Sequence, residues 1–369
     1  MAKNALYLAG GGARGAYQAG VLKAISHILQ AKTLPFSMVS GVSIGSINAA
    51  IIAQHADDFP AAIDKLETLW REIRCQDIFN TSNYELGKSV VKNLSRIIIR
   101  QRQTGHLLDT APLHELIRAN IDFARIKSNI ANHYLETMEV MSICYETQQT
   151  ISFYQHHQPE FADWHYPRHI SQRVDMDMPH ILASSALPLF FPTIRIGGCH
   201  YGDGSIGLVA PLRGAVRFNV EKILILGTRQ FPVFAEPEKL SNGDIGFAHI
   251  LGNMLNGLFL DNLDRDIEMV NRMNDIARLL SMWKKRHSPW RPIETLHLRP
   301  SIDVSALAQT QYHAMPGLLR FLLNALGAQR HSGDLLSFLL FEKEFTGELI
   351  DLGYHDTMAS ATTVTKFFS

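Results

Sequence analysis

The first third of the chain predicts an α/β fold with a parallel sheet covered by helices. Three observations carry that expectation: short apolar runs that stop at glycine, segments with helical apolar spacing between them, and their alternation in the order strand, helix, strand, helix. Ala5–Ala9 is apolar and breaks at Gly10-Gly11-Gly12, the form of a buried strand. Ala16–Leu29 carries apolar residues at Ala16, Ala19, Leu22, Ile25 and Leu29, which is helical spacing. Pro35 closes that region, and Phe36–Val39 reads as a second short strand. Ile44–His55 is rich in Ala and Ile and reads as a buried helix, whereas Ala61–Ile73 is amphipathic. Further on, Val140–Glu146 and Ile151–Gln155 read as a strand pair turning at Thr147–Thr150. Lys222–Gly227 and Glu294–Leu298 read as later strands. Residues from about 245 to 285 and from 315 to 355 read as helices. Gln76–Gln103 is polar and weakly patterned, the composition of a loop or lid.

Composition bounds the function. The 369 residues are 46% hydrophobic and 19% charged, the balance of a globular protein with a large core. Lys plus Arg and Asp plus Glu stand at 35 each, so no global basic field points to nucleic acid. The apolar stretch after Lys3 is too short for a secretory signal, and no uninterrupted run approaches the ~20 residues that span a bilayer. A cytoplasmic protein is expected, with any membrane contact peripheral. Cys75, Cys144 and Cys199 are far apart and lack C-x-x-C spacing. They read as small buried hydrophobes, with no zinc site and no redox pair.

Gly41-Val42-Ser43-Ile44-Gly45 matches G-x-S-x-G between a strand and a helix. Glycines on both sides permit the sharp turn that exposes a serine hydroxyl. The following helix aims its unpaired N–H groups at Ser43, where an oxyanion would develop. In an ordinary α/β unit the same five residues would be only a turn of small side chains. Gly10, Gly12 and Gly15, after the first strand, satisfy G-x-G-x-x-G. A dinucleotide site would need an acidic residue ~20 positions on. The first acidic residue of the chain is Asp57, and no Arg lies between Gly15 and Asp57 to serve a phosphorylated ribose. The other use of such a loop is to present backbone N–H groups to an oxyanion, which suits acyl transfer. Asp203, in Tyr201-Gly202-Asp203-Gly204-Ser205, sits in a tight turn from which a carboxylate can accept a serine proton. On the Asp-Gly dipeptide alone, a surface turn is the simpler reading.

Taken together, Gly10–Gly15, Gly41–Gly45 and Asp203-Gly204-Ser205 resemble, in order, the marks of the patatin-like phospholipases, a family of lipid acyl hydrolases. Ser205 stands where that family usually has Gly or Ala. Ala183–Pro188 and Leu340–Gly353 also look like the family. The resemblance implies a three-layer α/β/α fold with a mainly parallel central sheet and a helical C-terminal extension. It implies a catalytic domain over residues 5–215. Residues 216–369 would then add strands to the sheet and helices packed on that domain. It further implies a Ser43–Asp203 dyad with no essential histidine. Gly11, Gly12 and Ala13 would donate N–H groups within the oxyanion loop Gly10–Gly15. Arg14 would fix the loop or add positive charge. Gly41 and Gly45 would shape the nucleophile turn, and no cofactor is expected. The substrate would be a phospholipid, lysophospholipid or glyceride ester.

Other readings remain open on the sequence. His287, His297, His313, His331 and His355 all follow Asp203, the order of a Ser–Asp–His triad in α/β-hydrolases. Against it, Ser43 follows only the second strand. An acyltransferase of malonyl-transacylase type looks similar around G-x-S-x-G but uses a histidine and a carboxylate-binding arginine. A non-catalytic lipid or partner binder is the third. Of the 17 histidines, His156, His157, His165, His169 and His180 crowd one region without metal-ligand spacing, and read as solvated or interfacial. Leu251–Leu260 and Leu318–Leu326 are apolar helices, either packed on the main domain or lining an acyl route.

Overall fold

The computed structural model describes residues 3–81, 106–231, 254, 257, 261–279, 291–317, 320 and 333–369. Most of the Gln76–Gln103 stretch, and of the segments Leu251–Leu260 and Leu318–Leu326, therefore lies outside the described residues. Among the described residues ten strands form one sheet: β1 (Asn4–Leu8), β2 (Met38–Val42), β3 (Thr137–Cys144), β4 (Gln149–His156), β5 (His165–Tyr166), β6 (His169–Arg173), β7 (Ile194–Ile196), β8 (Cys199–Asp203), β9 (Lys222–Leu226) and β10 (Glu294–Leu298). The main order is β10-β9-β1-β2-β3-β4-β6-β5. From β10 to β3 every neighbour is parallel; β3 with β4, β3 with β8, β5 with β6 and β7 with β8 are antiparallel.

The central strands read as continuous apolar runs because both faces of the sheet are covered. Successive side chains of β1 alternate between two cores. Leu6 and Leu8 join one, and Ala5 and Tyr7 the other. The first core is closed by helices α1 (Ala16–Leu29), α2 (Ile44–Ala53) and α3 (Phe59–Glu72), together with the C-terminal helices. Helix α3 begins at Phe59 rather than Ala61. The Asp58 carboxylate caps it, accepting from the Ala61 N–H at 3.1 Å, a contact worth about 1 kcal/mol. The short helix α4 (Cys75–Ile78) and helices α5 (Ala111–Asn120) and α6 (Phe123–Ala131) lead into β3; α7 (Met178–Ser184) precedes β7. The second face is covered by α8 (Arg213–Arg217) and α9 (Asp261–Leu279).

The C-terminal region is helical. Helices α10 (Val304–Thr310), α11 (Gly333–Leu339), α12 (Lys343–Ala359) and α13 (Ala361–Phe368) return to the start of the chain. Tyr17 Oη on α1 donates to Asp356 Oδ2 on α12 at 3.1 Å. Arg71 at the end of α3 pairs with Asp351 at 2.6 Å. The strands β9 and β10 extend the same sheet beside β1. Among the described residues, no helix is long and apolar enough to cross a membrane.

Candidate active site

The site lies where two strands meet end to end on a third. β2 runs parallel to β3, and its last rung pairs Val42 with Met141. β8 runs antiparallel to β3, and its last rung pairs Asp203 with Ser142. The chain leaves β2 at Ser43 just where Asp203 arrives from the other direction. Ser43 Oγ donates to Asp203 Oδ2 at 2.5 Å.

Ser43 is held in a backbone conformation with φ 55° and ψ −129°, outside the regions a serine ordinarily adopts. Three other serines hold it there. The Ser43 N–H donates to Ser184 Oγ at 3.0 Å, and the Ser43 carbonyl accepts from Ser46 Oγ at 2.6 Å and Ser185 Oγ at 3.1 Å. Ser184 in turn donates to the Met141 carbonyl on β3 at 2.7 Å. The Ala183–Pro188 stretch thus contains two of the residues that clamp the turn. Small size and a hydroxyl were the only sequence signals of that role. Gly45 is glycine because a Cβ there would lie 2.1 Å from the Leu8 carbonyl oxygen, and Gly41 abuts the Gly45 carbonyl in the same crossing.

Asp203 is fully buried. Burial pushes its carboxyl up to about 6, against the opposing effect of the Ser43 hydroxyl and the Ser205 backbone N–H, which donates to Oδ1 at 2.9 Å. The turn therefore accepts Ser205 through its main chain. A carboxylate raised this far is a stronger base than an ordinary aspartate and is still ionised at neutral pH.

The glycine loop is pinned at both ends and through Arg14. The Gly10 carbonyl accepts from Thr228 Oγ1 at 2.6 Å, and the Gly15 carbonyl from Asn48 Nδ2 at 3.2 Å. Asn48 also bonds Gln18 and Trp70, both buried. Gly12 has φ 58°, and a Cβ on it would sit 2.1 Å from the Phe338 carbonyl oxygen. A Cβ on Gly11 would lie 2.5 Å from Thr228 Oγ1, and Ala13 is wholly buried. The Arg14 guanidinium is 1% exposed. Its Nε donates to Ser337 Oγ at 2.8 Å, its Nη2 lies 3.1 Å from Asp334 Oδ1, and it stacks 4.3 Å over the Phe338 ring. Burial lowers its pKa to about 10, opposed by Asp334. Of the two roles open to Arg14, these contacts are those of a residue that fixes the loop.

A narrow apolar cleft opens from Ser43 and Gly12. Among the described residues, Ile44, Ile47, Ile78, Leu113, Ser185, Leu187, Phe191, Phe338, Leu339 and Phe341 also line it. The last three come from the C-terminal region, which the motifs did not tie to the site. His297, by contrast, contacts Arg299 and Asp264 on the sheet edge, and His313 and His355 pack against Tyr312 and Tyr354. His287 and His331 lie outside the described residues. The histidine cluster is less solvated than its composition suggests. His156, His169 and His180 are buried, and burial lowers His156 to about 4 and His169 to about 3, so both are neutral.

A family model described as patatin-like phospholipase matches residues 6–216. The chain belongs to the patatin-like phospholipase family. The lysophospholipase nte1 of Aspergillus terreus is 31% identical over 96 residues, covering 24% of this chain. This chain spans only 6% of that relative's length. Among solved structures, VipD from Legionella pneumophila aligns over 98% of this chain and 67% of its own, at 14% identity and a TM-score of 0.38.

Proposed function

We propose that this patatin-like protein is a serine acyl hydrolase that cleaves carboxylic esters of phospholipids, lysophospholipids or glycerides through the Ser43–Asp203 dyad. The observation that carries the reading is the 2.5 Å contact between nucleophile and buried base at the mouth of an apolar cleft. Ser43 Oγ attacks the ester carbonyl carbon, and its proton passes to Asp203 Oδ2. The N–H groups of Gly11, Gly12 and Ala13 receive the oxyanion, aided by the α2 N-terminus. The tetrahedral adduct collapses, the leaving alcohol takes the proton from Asp203, and an acyl-enzyme remains. Water then attacks the acyl carbonyl and gives a proton to Asp203, which returns it to Ser43 Oγ as the second adduct collapses, releasing the fatty acid and free Ser43. The acyl chain occupies the cleft, so residues 216–369 belong functionally to the catalytic unit. No cofactor takes part in these steps. Among the described residues, the cleft lining has no arginine or histidine to serve as the carboxylate-binding arginine of an acyltransferase. Substrate reaches the site from a lipid surface that the protein contacts peripherally.

A fluorophosphonate should label Ser43 in the folded protein, and para-nitrophenyl esters should be hydrolysed with a chain-length preference. Leu187→Trp, which narrows the cleft, should shift selectivity toward short esters by about tenfold, the scale of a changed methylene contact. Absence of both labelling and hydrolysis would leave a non-catalytic binder as the reading. A chain-length profile untouched by Leu187→Trp would remove the cleft from the acyl route.

The base also sets the pH dependence. Asp203 accepts a proton only when ionised, so kcat/KM should fall tenfold per pH unit below about 6 and be flat above it. A limb near pH 7 that moves in a histidine variant would replace the dyad with a triad.

A further inference from the structure

The sequence spacing of the cysteines hides a cluster that the sheet assembles. In the β3–β8 pairing Cys144 lies opposite Tyr201. Cys199 is two residues before Tyr201, and Glu146 is two residues after Cys144, so all three project from the same side of the ribbon. Their two Sγ atoms and a carboxylate oxygen lie within 4.8 Å of one another. Glu146 Oε2 is 3.6 Å from Cys144 Sγ. A tetrahedral zinc ion with Zn–S ~2.3 Å and Zn–O ~2.1 Å sets its sulfur and oxygen ligands roughly 3.6 Å apart. The Glu146 carboxylate is itself oriented. It accepts from the His200 backbone N–H at 2.9 Å and lies 2.7 Å from His200 Nδ1, the kind of outer contact that aligns metal ligands.

We propose that Cys144, Cys199 and Glu146 form a binding site for a thiophilic divalent cation, zinc, at the open end of the β3–β8 pair. The two sulfurs select against hard cations such as calcium and magnesium. On binding, each thiol gives its proton to the buffer as its sulfur–metal bond forms. No electrons are transferred, and a water completes the coordination. A disulfide would use the same two sulfurs, but it would leave the oriented carboxylate without a part. The cation would brace β8, the strand that carries Asp203 four residues beyond Cys199. This inference does not depend on the hydrolase reading, since its readout is metal binding.

The test is a titration of the reduced, EDTA-treated full chain with cadmium, followed in the ultraviolet by the thiolate-to-metal charge-transfer band. The expected result is one tight cadmium per chain, displaced by zinc. The band should be retained in Cys75→Ser, whose sulfur contacts the Leu339 carbonyl elsewhere. It should be lost in Cys199→Ser, a partly exposed position chosen because the buried Cys144→Ser variant can fail to fold. Glu146→Gln replaces an anionic ligand by a neutral amide and should weaken binding by about tenfold or more, since loss of even an outer partner typically costs that much. A band that survives Cys199→Ser, or none in the wild type, overturns the proposal. So does a count of one free thiol rather than three in the denatured, unreduced protein, which would mean that Cys144 and Cys199 are joined as a disulfide.

Discussion

Replacing Asp203 by asparagine should give a protein about 10³-fold slower in ester hydrolysis, the worth of a positioned general base, and harder to unfold at pH 8. The two effects share one cause. Burial pushes the Asp203 carboxyl up to about 6, whereas an unfolded aspartate titrates near ~3.9. A carboxyl raised in the folded state contributes most stability below the unfolded value. That contribution is lost as pH rises through about 6 and stays lost above it. At pH 8 the ionised, buried Asp203 therefore costs the fold on the order of 3 kcal/mol, which asparagine does not incur. The difference in Tm between Asp203→Asn and wild type should be small at pH 4 and grow to several degrees by pH 8. Thermal denaturation across pH, beside kcat on a para-nitrophenyl ester, checks both halves. A Tm difference that does not change with pH would mean Asp203 is not carrying a buried charge. Activity near wild type would mean another group takes the Ser43 proton.

The second large effect is expected at Arg14, which never needs to touch substrate. Arg14→Met keeps much of the volume but removes the bonds to Ser337 and Asp334. Breaking a buried ion pair costs about 3–5 kcal/mol when the partner stays buried. Asp334 is one-third exposed, so water recovers part of that, and roughly 2–3 kcal/mol is expected. In a chain of 369 residues that lowers Tm by about 3–4 °C. The kcat should fall further than stability alone explains, by about 10²-fold, because Gly12 and Ala13 precede Arg14 directly and their donors need fixed positions. Arg14→Lys restores a charge but not the planar fork, and should recover only part of each loss. A lowered Tm with an unchanged kcat would separate the loop from catalysis.

The two residues of the proposed dyad were legible because each is bound to a local pattern, and the structure brings them together. Ser43 sits at a strand-to-helix turn flanked by glycines, and Asp203 sits between two glycines. Patterns of that kind survive in one dimension. The parallel sheet was legible for a related reason: strands covered on both faces, such as Leu6–Leu8 and Ile223–Leu226, have little choice but to be apolar throughout. What lay hidden depends on contacts distant in sequence. The approach of Cys144 to Cys199 follows from the β3–β8 register, and β8 itself is a short mixed segment (CHYGD) with no apolar run to announce it. Phe338, Leu339 and Phe341 read as ordinary core residues; only the packing of α11 over Gly12 brings them to the cleft. The buried histidines misled for the opposite reason. Their polarity suggests solvent, whereas aromatic neighbours such as Phe153, Phe161 and Phe218 surround them.

The meeting of β2 and β8 on β3 makes catalytic competence a property of assembly order. Neither strand carries both halves of the dyad, and their alignment is kept by rungs on a third strand. A slip of β8 by one rung would turn Asp203 to the opposite face of the sheet. A growing chain that has emerged only as far as β4 already holds its nucleophile turn but has no base beside it. On the proposed mechanism the nascent polypeptide would be chemically silent: it gains its base when β8 docks, and its fixed oxyanion loop only when α11 packs on Gly12 and Arg14.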